Sequence, residues 1–126
     1  MRIIAIADWD VRLECVCADD FGAYYSGEES DENSANAQRY DETRDAHQRL
    51  KALCEERGIR HYVADTDDQD SKHCDAYLYF LWSKVKEVAR LLEESGATGD
   101  VLDVPRDFPV ELEGQAEAMG WSVERA

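Results

Sequence analysis

The chain has 126 residues, 44% of them hydrophobic and 34% charged, and its 29 Asp and Glu against 14 Lys and Arg give a formal net charge of -15. That length suits one domain with a core of its own. The charge opposes direct binding to DNA, RNA or an anionic membrane, and leaves basic proteins and cations as natural partners.

The apolar run that begins at Ile3 is broken at Asp8, too soon for a secretory leader or a membrane span. The expectation is a cytoplasmic protein in which Cys15, Cys17, Cys54 and Cys74 are thiols. Residues 2–7 read as a strand, and residues 11–17 as another, with Val11, Leu13, Cys15 and Cys17 on one face and Arg12 and Glu14 on the other. Asp8-Trp9-Asp10 is the expected hairpin connection, and a short strand over 23–26 would complete a meander. The acidic residues 27–33 read as loop.

From Ser34 to Arg57 the apolar positions Tyr40, Ala46, Leu50, Leu53 and Cys54 fall along a helical stripe, stopped by Gly58. Residues 59–64 then form a strand. A long helix is predicted over 72–94, with Tyr77, Leu78, Leu81, Val85, Val88 and Leu92 facing the core and Gly96 ending it. On that helix the run YLYFLW, 77–82, supplies more apolar and aromatic side chains than one face can bury. A strand over 100–104, a short helix from Pro109 to Met119 and a last strand over 121–124 complete the chain. The fold class expected is α/β, with α+β the neighbouring possibility: an N-terminal hairpin or meander, then alternating helices and strands in a single mixed sheet containing a parallel pair. Residues 1–126 form one domain.

The acidity is regional. Between 39 and 57 five bases and five acids cancel, so the rest of the chain carries the whole of the -15, which a uniform solubilising coat would not do. The densest stretch, residues 19–33, holds Asp19, Asp20, Glu28, Glu29, Asp31 and Glu32 around Tyr24 and Tyr25, with no Lys or Arg. A second group is Asp65, Asp67, Asp68 and Asp70. An EF-hand loop counted from Asp65 would need Gly at its sixth position and Glu at its twelfth, where this chain has Asp70 and Ala76. The bland role for these carboxylates is to cap the helix expected from Lys72.

Acids interleaved with aromatic rings can offer a basic groove what a nucleic-acid strand offers it. The functional expectation is therefore a non-enzymatic inhibitor that occupies a Lys/Arg-rich, nucleic-acid-binding surface of a protein partner, as an anti-CRISPR, anti-restriction or immunity or antitoxin protein would. It needs no cofactor or metal, and touches neither nucleic acid nor membrane directly. The rival is a metal-dependent phosphoesterase or nuclease using strand-end aspartates, with Asp8, Asp65 or Asp67, Asp75 and Asp107 gathered over one crevice if their strands run parallel. KHCD (72–75) and RDF (106–108) resemble short motifs of PIN-like nucleases over seven residues, but Pro105 stands where that family has a further Asp, so membership is not assigned.

Overall fold

The computed structural model describes residues 8–17, 31–64 and 76–126; of residues 31–34, 36 and 37 it describes the backbone alone. Among the described residues, five strands form one sheet in the order β2-β3-β1-β4-β5. They are β1 (Asp10–Cys15), β2 (His61–Val63), β3 (Ala76–Leu81), β4 (Gly99–Val104) and β5 (Ser122–Arg125). Three helices connect them: α1 (Asp31–Arg57), α2 (Val85–Ser95) and α3 (Val110–Ala118). β1 is antiparallel to β3 and β4, β2 is antiparallel to β3, and β5 is parallel to β4. Single mixed sheet, alternation and parallel pair are thus as expected. Within it, β1-α1-β2-β3-α2-β4 has the β-α-β-β-α-β connectivity of the ferredoxin-like arrangement, with α3 and β5 added at the β4 edge.

Alternation in β1 does what the sequence says: Val11, Leu13 and Cys15 are buried and Arg12 and Glu14 are not. The buried row joins Leu78, Leu102 and Val104 from the sheet to Leu50 and Cys54 of α1, Val88 and Leu91 of α2 and Ala116 of α3 in one apolar cluster. All three helices therefore cover the same face. Phe108 closes the cluster between Trp9 and Trp82, with edge-on ring contacts at 6.0 and 5.4 Å.

Two expectations are corrected. Residues 76–81 are a strand, not part of a long helix, and the helix proper starts at Val85 after a 3-10 turn, Trp82–Lys84. Ala76 and Leu78 are buried while Tyr77, Tyr79 and Leu81 turn to the opposite face, so the aromatic run is a two-sided strand. The expected core face keeps Val85, Val88 and Leu92 and loses Tyr77 and Leu81. The helix expected from Lys72, which the aspartates would cap, therefore does not run on through 76–81, and residues 65–75 lie outside the described residues. In addition, α1 starts at Asp31, so Asp31 to Asn33 are helical rather than loop; carboxylates in a first helical turn are favoured by its dipole. The expected strands at 2–7 and 23–26, and the remaining acidic loop, lie outside the described residues.

Glycines end the elements where the chain must turn left-handed: φ is 68° at Gly58, 82° at Gly96 and 87° at Gly120. Gly99 is required for another reason. Opposite β1, one extra residue, Asp100, intervenes between Gly99 and Val101, and this bulge sets Gly99 so that a Cβ there would lie within 3.0 Å of three indole atoms of Trp121.

Candidate functional site

Strand directions define two ends of the sheet. β1 and β2 finish at what we name the upper end, where β3 and β4 begin. Val63 pairs with Ala76, and Tyr77 with Glu14, so Cys15, Ala76 and Val63 stand side by side on three neighbouring strands, roughly 10 Å from first to last. α1 meets this end as well. The His47 ring lies 3.1 Å from the Val16 carbonyl oxygen, and Arg49 Nε donates to the Ser95 carbonyl at 2.9 Å. The turns of α1 before Ala46, about 22 Å of helix, precede this junction, and its buried described side chains all lie from Ala46 onward.

The upper end matters because both acid-rich segments leave the sheet there. Residues 18–30 leave from Cys17 and return at Asp31, and residues 65–75 leave from Ala64 and return at Ala76. Extended to the first turn of α1, these two segments hold eleven acids and one base, Lys72, a net of ten of the fifteen negative charges. Another five come from residues 99–126, where Asp100, Asp103, Asp107, Glu111, Glu113, Glu117 and Glu124 face Arg106 and Arg125. The remainder of the chain is balanced. Of the expected contact residues, Asp19, Asp20, Tyr24, Tyr25, Glu28, Glu29, Asp65, Asp67, Asp68 and Asp70 lie outside the described residues, and Asp31 and Glu32 are described in backbone only.

Asp8 and Asp107, two of the strand-end aspartates expected over one crevice, do not lie at the end where β2 finishes. Because β1 and β4 are antiparallel and β2 runs with β1, Asp8 and Asp107 belong to the lower end, opposite the one where β2 finishes. Asp8 is also occupied: its carboxylate accepts from the Ser83 hydroxyl at 2.6 Å and the Ser83 amide at 3.2 Å. The Ser83 hydroxyl bond holds its pKa below the ordinary 3.8. No cluster of three potential metal ligands exists among the described residues. Cys15, Cys17 and Cys54 are thiols, and burial pushes Cys54 up to about 11, far from a reactive thiolate. No described helix is long and apolar enough to cross a membrane.

Comparison with protein-family models, with curated proteins and with solved structures finds no match. The site must therefore be read from its own chemistry.

What sequence reasoning missed is the sheet face that the helices leave open. Registers place its side chains in two rows: Tyr62, Tyr77, Glu14, Val101 and Ser122 near the upper end, then Tyr79, Arg12, Asp103 and Glu124 below, with Arg60 alongside Tyr79. Tyr62 is 45% exposed and Leu81 42%. Arg12 is gripped by Asp103 at 2.9 Å and Glu14 at 3.3 Å, and its guanidinium lies 4.8 Å over the Tyr77 ring. Arg60 lies 4.8 Å over Tyr79. Burial, with Asp103 adding its negative charge, raises the Glu14 pKa against the pull of Arg12. A depression of about 550 Å³ opens here, bordered by Asp10, Arg12, Arg60, Tyr79, Leu81 and Asp103. Reading 77–82 as a strand would have exposed this face, since Tyr77, Tyr79 and Leu81 then alternate with Ala76, Leu78 and Phe80.

Proposed function

We propose that this is a non-enzymatic acidic protein that docks onto a Lys/Arg-rich, nucleic-acid-binding surface of a protein partner and blocks it, in the manner of an anti-CRISPR, anti-restriction, immunity or antitoxin protein. The observation that carries the reading is that the two acid-rich segments leave the sheet at the same end. The two segments, with the first turn of α1, carry a net of ten negative charges, and a concentration of charge of that sign steers a basic surface toward it. Association by steering is fast and weakens with salt.

The test compares two variants of equal net charge. In one, Asp19→Asn, Asp20→Asn, Glu28→Gln and Glu29→Gln neutralise the upper-end segment; in the other, Asp100→Asn, Asp107→Asn, Glu111→Gln and Glu117→Gln neutralise the C-terminal unit. Binding of a nona-lysine peptide, measured by calorimetry across a salt series, should weaken at least several-fold and lose salt dependence in the first variant and change little in the second. Equal losses would show that bulk charge, not its placement, attracts the peptide.

A further inference from the structure

We propose that the open face of the sheet reads guanidinium groups, so that the basic partner engages it through arginine rather than lysine. This deepens the functional reading above and rests on it. The described part of the face carries four carboxylates, Asp10, Glu14, Asp103 and Glu124, against two guanidiniums, Arg12 and Arg60. It therefore favours a cationic occupant.

The tyrosines define which cation. Tyr77 and Tyr79 sit on β3, inside the sheet, and each already holds a guanidinium carbon 4.8 Å from its ring centroid. Arg12 is fixed in place by two carboxylates. Arg60 is exposed immediately before β2, and its position over Tyr79 marks where an incoming guanidinium would lie, with Asp10 and Asp103 on the rim of the same depression. A planar, weakly hydrated guanidinium stacks on such a ring and still reaches a carboxylate, whereas a compact ammonium keeps its water. Nucleobases also stack on sheet tyrosines, but their phosphates would meet the four carboxylates. A second copy of the chain would bring another -15. Charge complementarity thus selects an arginine-bearing partner.

Calorimetry with nona-arginine and nona-lysine peptides tests this on the intact protein. Nona-arginine should bind about 5–10-fold more tightly, and Tyr77→Leu and Tyr79→Leu should each reduce that preference by about 2–5-fold, while Tyr79→Phe, which keeps the ring, preserves it. Arg60→Gln should strengthen nona-arginine binding more than Lys84→Gln, which makes the same charge change on the helix side. Equal affinity of wild type for the two peptides, or an unchanged preference in both leucine variants, overturns the arginine platform and leaves acidic docking standing. Binding of neither peptide overturns both. Should a leucine variant fail to fold, the contrast between Arg60→Gln and Lys84→Gln still decides, equal effects counting against the platform.

Discussion

The two faces of the sheet are built by the same strands yet obey different physics. On the helix side, Leu13, Leu78 and Leu102 are wholly buried, and each position is fixed by volume. One residue away along the same strands, Arg12, Tyr77, Tyr79 and Asp103 remain accessible and are organised by charge and ring contacts. Stability resides on the first face, and the second keeps charged and aromatic side chains accessible. Neighbouring residues on one strand should therefore respond to substitution very differently.

Leu13→Ala should be the most damaging change, costing about 2–5 kcal/mol in denaturant unfolding, since nothing adjoining β1 can collapse into the space without moving both flanking strands. Gly99→Ala comes next, at about 1–3 kcal/mol, because the added methyl group meets the indole of the buried Trp121. If Gly99→Ala is neutral, Trp121 is not held as tightly as the structure shows. Arg12→Ala, directly beside Leu13, should cost about 1 kcal/mol or less. Its effect should depend on pH. With Arg12 gone, Glu14 and Asp103 repel each other while both are charged, so the loss should be greatest near neutrality. It should shrink as the pH falls through the raised pKa of Glu14, which then binds a proton.

The smallest effect should come from Asp8→Asn at the lower end. The Asp8 pKa is depressed in the folded protein, so its contribution is complete above the unfolded value of about 3.8 and is lost as the pH falls through the lower folded value. Melting temperatures of wild type and Asp8→Asn should differ at pH 7 and converge at strongly acid pH. A constant difference would mean that the carboxylate charge is not what supports Ser83.

Much of this division was legible in the residues. Alternation over 11–15, the glycine stops at Gly58 and Gly96 and the helix after Pro109 follow from local rules, and so does the sheet with its parallel pair. Residues 77–82 were misread because six consecutive apolar or aromatic side chains satisfy helical and strand periods alike. Only the register of β3 between β1 and β2 shows that Tyr77 and Tyr79 turn away from the helices. The open face was hidden by that single error. That the acidic segments leave the sheet at the same end was hidden differently, since it depends on β2 running with β1 across an intervening antiparallel strand, which no local pattern reveals. Strand direction also puts Asp8 and Asp107 at the end opposite the one where β2 finishes.

The most direct measurement is an amide chemical-shift map of the isotope-labelled protein titrated with nona-arginine at low salt. Cys17, Ala64, Ala76, Tyr77 and Tyr79 should show the largest perturbations, together with residues of the two acid-rich segments, and all should fade as salt is added. Perturbations concentrated on α3, or spread evenly over the surface, would contradict docking at the upper end.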